Sequence, residues 1–281
     1  MITTVQVPVR TGHAVVEVDL HGAGRPLLMI HGWGVDRRLM TGCLEPLFGE
    51  DDGWLRIYPD LPGRGGSPAH PDVDSGEATV QVLLGVLDAV APGQPCAVVG
   101  ESYGGYLARG VLAHRPDVLG LALVCPSVRP RANEVAELVV AERDDALVAS
   151  LDPAVRTGFT EINARQTREV WDRYAAEVLP GLAAADERYL EEVLAPRLEV
   201  AREDATTSAP VLVIAGRQDP AVGYRDQWRL AETFPHATFA VLDAAGHNAQ
   251  FEQPALFEAL VREWLARVAR QRAAREPVSP A

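Results

Sequence analysis

Four short stretches of this chain carry residue types that could act together on a carbonyl group. They are Gly100-Glu101-Ser102-Tyr103-Gly104, His31-Gly32-Trp33-Gly34, the Asp219 of AGRQDP and the His247 of AAGHNAQFEQP. A serine hydroxyl is a useful nucleophile only when it is pushed clear of the backbone and a base takes its proton. Gly100 and Gly104 leave room for a sharp strand-to-helix turn at Ser102, the local geometry that exposes such a hydroxyl. Histidine has the ordinary pKa suited to the proton transfer. His247 follows the apolar run ending near Leu242, with a glycine directly before it, which places it on a loop at a strand's C-terminal end. His13, His21, His70, His114 and His236 lie in edge-strand, turn or helix-end contexts, and His31 belongs to a glycine-flanked turn of its own.

The base needs an acid to hold its tautomer and to stabilise the imidazolium. Asp219 comes four residues after the apolar run that ends at Ala215 and is the first candidate. Asp243 is the second, but it sits close to His247 in sequence and leaves its strand too early to reach round the ring. Two backbone donors complete the chemistry. The Tyr103 N–H opens a helix and has no acceptor one turn back, and a turn at Gly32 and Gly34 can aim the Trp33 N–H at the same point, forming an oxyanion hole. The expected reaction is acyl transfer to water through a covalent serine intermediate, with no metal and no organic cofactor required.

These stretches must be positioned by the elements around them. Alternating segments Thr3–Val9 and His13–Leu20 read as an antiparallel hairpin at a sheet edge. Short apolar runs at Pro26–Ile30, Trp54–Tyr58, Cys96–Val99, Leu119–Cys125, Pro210–Ala215 and Thr238–Leu242 read as buried strands. Helical patterns at Arg37–Phe48, Ser75–Ala91, Tyr103–His114, Arg225–Phe234 and from Pro254 to about Arg275 separate most of them. Strand and helix in alternation predict a mostly parallel sheet covered on both faces. The alternation breaks between Pro126 and Ser208, where the pattern is helical and no strand is expected. That segment is acidic: residues 127–206 hold ten arginines against seventeen acids. Residues 276–281 read as a disordered tail.

Composition narrows the chemistry further. All 26 basic residues are arginine, and a chain without lysine has no Schiff-base nucleophile, no pyridoxal phosphate anchor and no phosphate-loop lysine. A formal charge of −13 argues against nucleic acid or an anionic membrane surface as partner. No signal-like start and no membrane-length apolar run is evident, so a cytoplasmic location and a small-molecule substrate are expected, in a monomer or homodimer. Cys43, Cys96 and Cys125 are odd in number and widely spaced, and read as core thiols.

The order Ser102, Asp219, His247, the strand-turn-helix at GESYG, the HGWG turn and the helical insertion together resemble the α/β-hydrolase fold, over nearly the whole chain. Asp60-Leu61-Pro62-Gly63-Arg64-Gly65-Gly66-Ser67 is similar to the D-x-P-G-x-G-x-S loop of many capped members. The resemblance implies an eight-stranded, mostly parallel sheet with helices on both faces. It also implies a hydrolase core of residues 1–125 and 207–281 and a helical cap of residues 126–206, inserted after the sixth strand. Trp33, Tyr103, Phe159, Trp171 and Tyr174 are candidates for the pocket lining, with Tyr189 a further aromatic of the cap. An ester, thioester or lactone of small or medium acyl size is the expected substrate. GHNAQFEQP also resembles the G-H-x-x-Q-x-E-x-P run of hydrolases that split carbon–carbon bonds in diketo acids, although GESYG differs from their G-N-S-M-G. Proline iminopeptidases share the architecture but carry G-G-S-W-G. A slow-turnover ligand sensor that keeps the triad is the alternative of another class.

Overall fold

The computed structural model describes residues 1–49, 52–130, 132–135, 137–202 and 204–273. The expected tail at 276–281 and the expected last helical residue, Arg275, lie outside them. The strands are β1 (Ile2–Val9), β2 (Gly12–His21), β3 (Arg25–Ile30), β4 (Trp54–Pro59), β5 (Ala97–Glu101), β6 (Gly120–Val124), β7 (Glu142–Arg143), β8 (Arg165–Gln166), β9 (Val211–Gly216) and β10 (Ala237–Leu242). Eight of them form one sheet in the order β1-β2-β4-β3-β5-β6-β9-β10. β1 and β2 pair antiparallel, as do β2 and β4, and every later pairing in the sheet is parallel. Parallel central strands are covered on both faces, which is why β5, β6 and β9 are buried along their whole length and read as unbroken apolar runs.

Helices α1 (Arg37–Leu44) and α10 (Pro254–Ala273) cover one face, where Met40, Leu44, Phe257, Val261 and Trp264 meet Met29, Val99 and Ile214. On the other face α2 (Gly76–Val90) and α3 (Tyr103–His114) put Val80, Leu83, Tyr106 and Leu107 against Leu28, Ile30 and Val98. The α2 start is set by Ser75, whose side chain accepts the Ala78 N–H. The long helix expected over Arg37–Phe48 instead ends at Leu44 and tightens into a 3₁₀ turn, Glu45–Leu47. Pro46 has no N–H to continue the α-helical ladder, which accounts for the break.

Between β6 and β9 the chain forms α4 (Asp145–Ser150), α5 (Pro153–Ile162), α6 (Arg168–Glu177), α7 (Leu179–Ala184) and a π-helical turn, Tyr189–Leu194. The expectation of no strand here is corrected by the two-residue parallel pair β7 and β8. Segments this short, with charged Glu142 and Arg143, carry no alternation to detect. The insertion packs its own apolar cluster, Leu147, Phe159, Val170, Tyr174 and Val178, onto Leu39 of α1 and Phe251 of α9 (Ala249–Glu252). The remaining helix is α8 (Arg225–Ala231), shorter than the Arg225–Phe234 expected. All three cysteines are buried and unpaired. No helix among the described residues is long and apolar enough to cross a membrane.

From β3 the chain runs to β4 on one side, while β5 pairs on the other. Loops leaving the C-terminal ends of neighbouring strands diverge at such a switch point and open a crevice there. The loops after β3 and β5 carry HGWG and Ser102.

Candidate active site

β5 runs two residues further than expected, to Glu101, so Ser102 follows the strand end directly and caps α3 with φ 51° and ψ −118°. A positive φ at a residue with a side chain is strained and is held only by surrounding contacts. Here the Ser102 N–H donates to Val124 O (2.9 Å), and its carbonyl accepts the N–H groups of Gly105 (3.0 Å) and Ser127 (3.0 Å). The flanking glycines are required by space: a Cβ at Gly100 would lie 2.3 Å from Gly104 O, and one at Gly104 would lie 2.2 Å from Ile30 O.

Ser102 Oγ lies 2.9 Å from His247 Nε2, and His247 Nδ1 lies 2.9 Å from Asp219 Oδ2. Asp219 is fully buried, and its Oδ1 accepts the N–H groups of Ala221 (2.8 Å) and Val222 (3.0 Å). With Nδ1 donating to the carboxylate, Nε2 of neutral His247 is left to accept the Ser102 proton. Burial alone would lower the His247 pKa, but the Asp219 charge and hydrogen bond, joined by the Glu101 and Glu252 charges, raise it to about 9. Asp243 does not enter this chain: its Oδ1 accepts Gln218 Nε2 at 2.8 Å.

Tyr103 follows Ser102 directly, and Trp33 shares its cavity. Tyr103 is the first residue of α3, so its N–H has no intrahelical acceptor. Gly32 approaches so closely that a Cβ there would lie 3.2 Å from the Ser102 Cβ. The HGWG turn is locked by His31, whose Nε2 accepts the Leu61 N–H (2.9 Å) while Nδ1 reaches Gly32 O (2.9 Å). Complete burial and the nearby Arg64 charge push its pKa down to about 3, so the ring is neutral and serves as a structural bridge. The D-x-P-G-x-G-x-S loop closes on itself: Asp60 accepts the Gly66 N–H (2.7 Å) and the Arg37 N–H (2.9 Å), and Ser67 Oγ donates to Asp60 O (2.7 Å).

A cavity of about 180 Å³ opens over Ser102 and His247, with apolar walls from Val35, Leu39, Ile162, Val178 and Leu182. Trp33 and Tyr174 line it as expected. Tyr103, Phe159 and Trp171 do not. The Tyr103 ring turns into the core, edge-on to Trp33 at 5.1 Å, and Phe159 and Trp171 pack on each other inside the insertion at 5.2 Å. Tyr189 lies over Gly63, where a Cβ would touch its ring. Aromatic residues at helical spacing do not reveal which side of the helix the cavity is on.

Two polar groups of this cavity were not singled out from the sequence. Glu101 lies inside GESYG itself, and Asn248 follows His247 directly; both line the cavity. Burial pushes the Glu101 carboxyl up to about 7, against the pull of His247. Cys125, Asp219 and His247 also bring ligand-type atoms within 4.8 Å of one another. The Asp219 and His247 donors are spent on each other, and burial keeps the Cys125 thiol protonated, so this trio is a poor fit for a metal ion.

A family model described as the alpha/beta hydrolase family matches residues 27–260. The chain belongs to that family. It is 30% identical over 253 residues to a pimeloyl-[acyl-carrier protein] methyl ester esterase of Xanthomonas campestris pv. campestris, covering 83% of this chain and 91% of that one. It is 28% identical over 277 residues to a 2-hydroxymuconate semialdehyde hydrolase of Pseudomonas sp. (strain CF600), covering 90% and 92%. Its fold is similar to that of the alpha/beta superfamily hydrolase from Oenococcus oeni PSU-1, with a TM-score of 0.83, 23% identity and coverage of 94% and 99%. Like these relatives, this alpha/beta hydrolase is a hydrolase.

Proposed function

We propose that this chain hydrolyses carboxylic esters of small acyl groups through Ser102, His247 and Asp219. The observation that carries the reading is the unbroken hydrogen-bond chain from Ser102 Oγ through His247 to Asp219, at the floor of a small apolar cavity. In this reading His247 takes the hydroxyl proton as Ser102 attacks the carbonyl carbon, and the Trp33 and Tyr103 N–H groups receive the oxyanion. The protonated Nε2 then returns the proton to the departing alcohol. Water attacks the acyl-enzyme by the same route and releases the acid.

The esterase named among the relatives favours a simple ester over other acyl substrates. At about 180 Å³ the cavity is below the roughly 300–1,000 Å³ of sites that take drug-sized ligands, which favours a short acyl chain. The helices between β6 and β9 act as its cap in this reading, since Ile162, Tyr174, Val178 and Leu182 supply one wall. Carbon–carbon hydrolysis of diketo acids is less well supported: no arginine is among the described residues lining the cavity to receive a substrate carboxylate.

The test is labelling with a fluorophosphonate, read by intact mass, together with methanol release from short methyl esters. One adduct on the wild type and none on Ser102→Ala, with turnover lowered at least about 10³-fold in the variant, is the expected result. A Ser102→Ala protein that keeps wild-type turnover sinks the reading. So does wild-type protein that neither labels nor turns over an ester.

A further inference from the structure

Glu101 is the last residue of β5 and the neighbour of the nucleophile. It is 3% exposed, yet it lines the same cavity as Ser102 and His247. Its Oε1 lies 3.5 Å from His247 Nε2, the nitrogen that faces Ser102. Its other oxygen is pressed against the HGWG turn, where a Cβ on residue 32 would stand only 2.4 Å away, and the carboxyl group accepts the Gly32 N–H. The carboxyl group is therefore wedged between the oxyanion turn and the reacting imidazole. Among the described residues lining the cavity the only side chain that can carry a positive charge is His247, and burial keeps the Tyr174 phenol neutral. A buried carboxylate whose sole cationic partner is the reacting imidazole leaves the cavity acidic whenever that imidazole is neutral.

We propose that Glu101 sets the charge selectivity of this site: its carboxyl group is the acidic wall beside the scissile carbonyl, admitting neutral acyl groups and turning away those that bring a carboxylate into the cavity. The proposal rests on the ester-hydrolase reading above and names its substrate class. Two carboxylates brought a few ångströms apart in a partly buried cavity repel strongly enough to cost on the order of 10²-fold in kcat/KM.

The selectivity has a pH dependence of its own. The groups facing Glu101 are His247 after β10, Asp219 after β9, the Gly32 N–H after β3 and the Cys43 thiol of α1, which burial keeps neutral. His247 in turn feels Glu252 of α9, and the nearby Cys125 thiol stays neutral. Burial and Asp219 hold the Glu101 carboxyl near 7 despite His247. Below that pH it carries a proton and can donate a hydrogen bond to a substrate carboxylate in place of repelling it.

Methyl butyrate and monomethyl succinate form a matched pair, the second ionised at every pH above about 6. Their kcat/KM ratio, from methanol release between pH 6 and pH 9.5, is read for wild type and Glu101→Gln. The expected wild-type preference for butyrate is about 100-fold at pH 9.5, where the imidazole is neutral and Glu101 ionised, and falls as the pH drops toward 7. In Glu101→Gln the ratio is at least about tenfold smaller and flat with pH. The general repulsion of an anion by the −13 chain is nearly the same in both proteins and cancels in the comparison. An unchanged ratio in the variant, or a wild-type ratio that does not move with pH, overturns the proposal. If neither protein hydrolyses methyl butyrate, the ester reading fails separately, and NMR titration of the His247 imidazole still decides the contact. A pKa lower by about one unit in Glu101→Gln supports Glu101 as the charge beside Nε2, and an unchanged pKa overturns it.

Discussion

His247 donates its backbone N–H to the carbonyl of Ile162 at 3.0 Å, so the loop that carries its imidazole hangs from the insertion between β6 and β9. Two further ties join the same partners. Asn248 Nδ2 donates to Asn163 Oδ1 (2.9 Å), and the buried Glu252 side chain accepts the Gly246 N–H (2.9 Å) and the Arg165 N–H (2.9 Å). The insertion is thus part of what holds His247 in place, besides walling the cavity.

Glu252→Ala should therefore take this acceptor from the buried Gly246 N–H and the part-buried Arg165 N–H. The expected loss of stability is about 2–4 kcal/mol, read by denaturant unfolding, and kcat should fall at least about tenfold as His247 loses its fixed position. Glu252→Gln keeps one acceptor oxygen but sets an NH₂ against the other N–H, so it should recover only part of either loss. A Glu252→Ala protein with wild-type stability and kcat would contradict the bridging role.

Asp219→Asn should be far more severe for turnover than for folding. The two N–H groups of Ala221 and Val222 hold an oxygen at the Oδ1 position, so the new amide must point its NH₂ at His247 Nδ1. That favours the tautomer with the proton on Nε2, which cannot accept from Ser102. A kcat lower by on the order of 10⁴-fold is expected, with an unfolding midpoint near the wild-type value.

Leu182 is 41% exposed and stands over Gly34 at the cavity wall. Leu182→Ala should open the cavity at little cost in stability, below about 1 kcal/mol, because most of the change is at an exposed position. The chain-length optimum across a series of methyl esters should shift to longer acyl groups. An optimum that stays put would place the acyl group elsewhere.

The free enzyme should be most active on the alkaline side. His247, raised to about 9, must lose its proton to act as base, so kcat/KM for a neutral ester should climb with pH through neutrality, reach half its maximum near 9 and level off above it. Stability should move the other way. A histidine whose folded pKa lies above its unfolded value contributes stability that is complete below about 6.5 and lost as the pH rises toward 9. Glu101 and Glu252, both raised to about 7 by burial, act in the same direction, losing their contribution between about 4.5 and 7. Thermal midpoints should consequently fall between pH 5 and pH 9, and His247→Ala should flatten the upper part of that fall.

The strained turn at Ser102 and the positions of Asp219 and His247 were legible because each depends on its immediate neighbours. Glycines two residues either side of Ser102, an apolar strand before it and a helix after it are local requirements, and a backbone contact of 2.2 Å at a single Cβ enforces them. Asp219 and His247 were found by the same logic, as polar residues just past buried strands. Pro46 could have warned of the break after Leu44, since the physics there is also local. β7 and β8 could not be seen, because two residues are too few to show a period.

What the sequence by itself determined is the order of buried strands, the strained turn at Ser102 and the three residue types that make up the hydrogen-bond chain. These follow from sterics and burial within a few residues. Only the tertiary structure decided which aromatic rings face the cavity, how small that cavity is, and that Glu101 meets His247 across 146 positions of chain. Such outcomes depend on how parallel strands pair and how one helix layer settles on another. Those are long-range packing choices, and no residue's neighbours in sequence encode them.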